Sequence, residues 1–144
     1  MSAASADLRP LVDHHCHGLL LDDLDRLSFE ALMNEAAGPS RLGTSFFDSM
    51  LGLAIRRWCA PVLGLEPHAP AADYLARRRE LGVEASRLLV AAAGIETFLV
   101  DTGLPDDRLC SPRQLAALSG GRGYEVIRLE ALAEKLMNAA TKPA

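Results

Sequence analysis

Only three short runs in this chain have the apolar, β-branched character of strands, and helical patterns separate them. They lie near residues 10–15, 97–101 and 124–129, and the second and third are each followed by a helix. A helix crossover carries the chain back to the end of the sheet where it began, so strands joined in this way pair in parallel. The pattern predicts an α/β fold with three parallel strands and helices elsewhere. Composition agrees: aromatics make up 5% of the 144 residues, and Ala and Leu dominate, which favours helices over an all-β design.

Far more chain separates the first two strands than a crossover needs, so residues 19–96 read as a helical insertion after the first strand. Within it, Ser28 is placed to cap a helix whose face carries Phe29, Leu32, Met33 and Ala36. Thr44 and Ser45 can cap a second helix, with Asp48 in capping-box position and Phe47, Met50, Leu51, Ala54 and Trp58 at helical spacing. Pro61 kinks or ends it. Pro70 opens a third helix that stops at Gly82, and a fourth covers about 84–93. Beyond the second strand, Ser111-Pro112 starts a helix ending at Gly120-Gly121, and a last helix runs to about Ala140. Residues 1–9 are small and polar and read as a flexible leader to one α/β domain over 10–144.

A net charge of −4 gives no basic field for nucleic acid. The basic run Arg77-Arg78-Arg79 is followed by Glu80 and Glu84, as on a solvated helix face, with anion binding as the minority reading. The N-terminus lacks a secretory signal pattern, and no apolar run approaches the ~20 residues of a membrane span. Three dispersed cysteines, Cys16, Cys59 and Cys110, fit reduced thiols and a cytoplasmic location.

Chemistry concentrates at the end of the first strand, where three of the four histidines fall within Asp13-His14-His15-Cys16-His17. Side chains alternate on a strand, which places Asp13, His15 and His17 on one face and Val12, His14 and Cys16 on the other. His15 and His17 would then stand about 7 Å apart at the backbone, close enough for their imidazoles to meet on one divalent ion, with Asp13 as a supporting acceptor. The bland alternative is a polar strand end with hydrogen-bonded histidines. Cys16 reads as a small buried residue or an accessory thiolate.

The segment Leu11-Val12-Asp13-His14-His15-Cys16-His17 resembles the first strand of the amidohydrolase superfamily, an apolar run followed by Asp, one residue, then His-x-His. Thr97-Phe98-Leu99-Val100-Asp101-Thr102-Gly103 is similar to a second strand of the same family, and the helical insertion between them looks like its amidohydrolase-related branch. The resemblance implies a (β/α)8 barrel with a divalent metal, zinc, at the C-terminal strand ends, where it polarises a carbonyl and lowers the pKa of bound water. His15 and His17 match the first two ligands. The family's other ligands and its catalytic aspartate belong to later strands, and a barrel needs ~250 residues. This chain is therefore expected to be the N-terminal part of a metal-dependent hydrolase acting on C–N or related bonds of a small molecule, incomplete alone.

Arg128 and Glu130 share a face of the expected third strand, either lining the mouth of the site or marking a solvated strand end or a local ion pair. Asp101 ends the second strand, as a turn former with Gly103 or as part of the site. Trp58 and Phe46-Phe47 read as core. The competing functional readings are a non-catalytic product that binds metal weakly, and a helical interaction module. An open three-stranded sheet exposes pairing groups, which predicts a homo-oligomer or pairing with a complementing C-terminal barrel portion.

Overall fold

A computed structural model of the chain describes residues 10–34, 38, 40, 42–103 and 107–140, so the leader expected at residues 1–9 and the helix-face position Ala36 lie outside the described residues. The chain divides into two units, one of Leu21–Ala92 and one formed by Met1–Leu20 with Ala93–Ala144.

The second of these carries the sheet. Its strands are β1 (Leu11–Cys16), β2 (Ile95–Asp101) and β3 (Arg122–Val126), in the order β1-β2-β3 with both pairs parallel. The α/β class and the parallel pairing follow the alternation of strands and helices. Central β2 buries Phe98 and Val100, and α6 (Pro112–Ser119) lies against β2 and β3 with Leu115 buried. The start of α6 is local chemistry: Ser111 Oγ accepts Gln114 N–H at 3.3 Å, and Gln114 Oε1 accepts Ser111 N–H at 2.8 Å.

Two expectations about the sheet need correction. The third strand ends at Val126 rather than near 129, because its pairing stops where Asp101, the last residue of β2, meets Val126. Arg128 and Glu130 therefore share no strand face. Arg128 precedes α7 (Leu129–Ala140), and Glu130 lies in its first turn. The second correction concerns β1, whose register advances from Asp13↔Phe98 to Cys16↔Val100, three residues against two. This bulge breaks the alternation assumed for the histidine strand. It puts Asp13 with Cys16 on the face of Phe98 and Val100, away from Leu99 and Asp101.

The unit of Leu21–Ala92 is helical around a core of Phe47, Tyr74, Leu63, Leu75, Met33 and Ala85. Phe29 stacks on Phe47 with ring centroids 5.5 Å apart, and Tyr74 meets both rings edge-on. Helix α1 (Arg26–Ala31) is capped by Asp25, whose Oδ1 accepts Ser28 N–H at 2.7 Å, so Ser28 receives the cap rather than supplying it. Ser45 caps only a 3-10 turn, Phe46–Asp48, and Ser49 caps α2 (Met50–Ala54). Asp48 completes no capping box and instead sits 3.6 Å from Arg56. Glu30 ties the two segments together, accepting from Arg26 Nε at 2.8 Å, Ser45 Oγ at 2.9 Å and Phe46 N–H at 2.8 Å. Burial alone would raise its pKa, but these donors outweigh it and hold the carboxyl below its ordinary value.

After α2 the backbone widens into a π-turn, Ile55–Cys59, before α3 (Ala60–Val62). Pro61 lacks an N–H and its ring crowds the carbonyl four residues back, and the wider turn relieves both. The inward face is not the one the spacing suggested. Gly52 points into the core, where any Cβ would overlap the backbone of Phe46 and Phe47. Trp58 consequently faces outward, 68% exposed, with the Arg57 guanidinium 4.8 Å from its ring. Phe47, by contrast, is core at 1% exposure.

Helices α4 (Ala71–Leu81) and α5 (Val83–Ala92) complete the unit, meeting at Gly82. The three arginines of α4 are engaged within it. Arg77 donates to Leu63 O and Glu80, Arg78 lies over the Phe29 ring, and Arg79 pairs with Asp23 at 2.7 Å. Arg77 and Arg79 make ion pairs, as on the expected solvated helix face, whereas Arg78 turns over an aromatic ring. His68, the histidine apart from the strand cluster, holds a left-handed φ of 64° pinned by Arg56, which donates to the carbonyls of His68 and Ala69. No helix among the described residues is long and apolar enough to cross a membrane.

Candidate metal centre

Parallel pairing brings the C-terminal ends of β1 and β2 side by side, and there His15 and His17 meet Asp101. The two imidazoles lie edge to face, 5.0 Å between centroids. One ligand atom from each of His15, His17 and Asp101 lies within 4.8 Å of the others. Such a group of three is what a catalytic zinc site draws from a protein, with a fourth position left open.

The donor chemistry fits a cation. Nδ1 of His17 lies 3.1 Å from the carbonyl oxygen of Asp101. A carbonyl only accepts, so Nδ1 carries a proton, and Nε2 is the ring nitrogen left to offer a lone pair to a cation. Metal-bound histidines show this arrangement, with the second ring nitrogen donating to a carbonyl or carboxylate. Nε2 of His15 stands 4.0 Å from Asp101 Oδ2, beyond hydrogen-bond reach. Ligands on one tetrahedral ion with bonds of ~2.0–2.1 Å are about 3.4 Å apart, so closure needs side-chain adjustments of an ångström or so.

Asp101 is 3% exposed and well supplied with donors. Gly103 N–H reaches Oδ1 at 2.8 Å, Arg128 Nε lies 2.9 Å from Oδ1 and 3.0 Å from Oδ2, and Arg128 Nη2 is 2.8 Å from Oδ2. The Arg128 guanidinium, followed by the Gly103 amide, lowers the pKa of Asp101 from 3.8 to about 2. The turn with Gly103 and membership of the site are thus compatible roles for Asp101.

This depression has a definite sign. A carboxyl whose folded pKa lies below its unfolded value adds stability above about pH 4, and that contribution disappears as pH falls towards 2. In the metal-free protein, Asp101→Asn should therefore flatten the acid limb of the stability curve between about pH 4 and 2, read as urea midpoints at several pH values. An unchanged acid limb would mean that the pair with Arg128 does not operate in solution.

The other candidates fall elsewhere. Asp13 does not lie beneath the imidazoles: its Oδ1 accepts the backbone N–H of His15 at 3.2 Å, and its carboxylate acts on the Cys16 thiol. Burial, with Asp13 adding to it, raises the pKa of Cys16 against the opposing Gly18 amide, and its Sγ lies 3.8 Å from Leu99 O. Cys16 lies on the other face of the strand and is no member of the cluster. Glu130 lies outside the cluster and bears on Arg128 through its charge. The signal that could have promoted Asp101 was its place at the end of the strand next to His-x-His, since neighbouring parallel strands bring equivalent ends together. No family model, curated protein or solved structure matches the chain.

Proposed function

We propose that this chain is the N-terminal part of a metal-dependent hydrolase of the amidohydrolase type, acting on C–N or related bonds of a small cytoplasmic substrate. The observation that carries the reading is the convergence of His15, His17 and Asp101 at the C-terminal ends of adjacent parallel strands, the end where (β/α) barrels place their chemistry. These residues would hold a divalent cation, zinc in this reading, which when bound supplies Lewis-acid polarisation and acidifies water. The chain's own part is to fix the His17 tautomer through Asp101 O and to keep Asp101 ionised through Arg128. Further strands, in the same or a complementing chain, would supply the remaining ligands and the catalytic acid–base group that the resemblance implies.

A second reading, a non-catalytic product that pairs with another chain, is favoured by the exposed apolar residues Leu129, Leu132, Leu136 and Met137 of α7 and by the outer strands β1 and β3. Metal content and mass, measured on one sample, separate the two. The hydrolase reading expects one zinc ion per chain after loading and dialysis. A zinc-free oligomer by light scattering would favour the second reading and defeat the first.

A further inference from the structure

We propose that Arg128 and Gly103 are positioning residues of the metal centre, which hold Asp101 as a one-oxygen ligand with Oδ2 turned towards His15 and His17. This rests on the metal reading above and deepens it. A carboxylate oxygen offers two lone-pair sites. Oδ1 receives Gly103 N–H at 2.8 Å and Arg128 Nε at 2.9 Å. Oδ2 receives Arg128 Nη2 at 2.8 Å, with Nε shared at 3.0 Å, and is the oxygen that faces His15 Nε2 at 4.0 Å. The one Nε hydrogen is divided between the two oxygens, so Nη2 is the single undivided donor on Oδ2 and that oxygen is the less occupied of the pair. The two-point guanidinium contact stops the carboxylate from rotating, a freedom that its broad terminal torsion would otherwise allow. The same residue's carbonyl orients His17, so a shift of Asp101 would disturb two ligands at once.

Gly103 belongs to this arrangement through space rather than through its backbone. Its φ lies outside the left-handed region, yet a Cβ there would fall 2.7 Å from Arg128 Cδ and 2.8 Å from Cζ, and closer still to Nε. Glycine at 103 leaves the room in which the guanidinium lies.

The guanidinium is itself a cation and repels an incoming metal. Its side chain is 40% exposed, however, and Glu130 stands beside it, so solvent and a counter-charge weaken that repulsion. Loss of orientation suffers no such screening, and removing an outer partner of a ligand costs ~10–100-fold in metal affinity. Positioning therefore wins.

The test is a titration of the full chain with cobalt(II) alone, followed by its visible ligand-field absorption, with circular dichroism to verify folding. Arg128→Gln should bind ~10–100-fold more weakly, with bands shifted towards those of the hydrated ion. Gly103→Ala keeps the charge but displaces the guanidinium, and it should follow Arg128→Gln. Arg128→Lys should recover part of the affinity. If Arg128→Gln proves unfolded, Gly103→Ala decides alone. Equal or tighter binding with unchanged bands in the folded variants would overturn the positioning role while leaving the metal centre intact. Absence of cobalt bands in the wild-type chain would overturn both.

Discussion

Replacing His17 with alanine should reduce zinc affinity by at least about a hundredfold, more than the ~10–100-fold typical of losing a residue that only supports a ligand. The variant loses one of the three candidate ligand residues and also the partner of the Asp101 carbonyl. His15→Ala should show a comparable loss, since Nε2 of His15 is the ring atom placed opposite Asp101 Oδ2. His14→Ala should bind zinc almost as the wild type does, because His14 is no member of the cluster. Isothermal titration of the three variants against the parent reads this directly. Similar losses at all three positions would mean that the histidines act as a general polar patch, and the specific site would be lost with them.

The second large effect lies in the helical unit. Phe47→Ala should destabilise it by ~3–5 kcal/mol, the range for removing a phenylalanine from a packed core. Phe47 is 1% exposed, stacks on Phe29 and touches Tyr74, so truncation leaves a hole among aromatic rings that cannot collapse easily. Against total stabilities of ~5–15 kcal/mol, that is a substantial fraction. Trp58→Ala provides the control: with its ring largely in solvent, the substitution should change stability little. Chemical denaturation followed by far-UV circular dichroism compares the two, and a greater loss at Trp58 would reverse the assignment of the inward face.

What the sequence made legible follows the range of the interactions involved. Helix α6 could be read because its start is settled by Ser111, Pro112 and Gln114 within one turn. Helices α4 and α5 were similarly marked by Pro70, Gly82 and Gly94. The parallel sheet followed from the order of strands and helices. The bulge in β1 could not be read, since it exists only in the register against β2, and it carried Asp13 off the histidine face. The end of β3 was misplaced for a related reason: Ile127 looks like a strand residue, but β2 has no residue left to pair with it. Trp58 looked inward by spacing, while the packing of Gly52 against the Phe46 and Phe47 backbone turned the helix the other way. Within the site, the pair His15 and His17 was visible as a motif. The third member, Asp101, and its hold by Arg128 across 27 residues required the fold.

The identity of the atoms around a bound ion decides whether His15, His17 and Asp101 form a metal centre. Zinc K-edge X-ray absorption on the loaded, dialysed chain reports them. The expected spectrum has a first shell of nitrogen and oxygen at ~2.0–2.2 Å, with outer-shell scattering from two imidazoles. A sulfur shell at ~2.3 Å, which would implicate a cysteine, or a spectrum without imidazole scattering would contradict the assignment of His15, His17 and Asp101 as the metal centre.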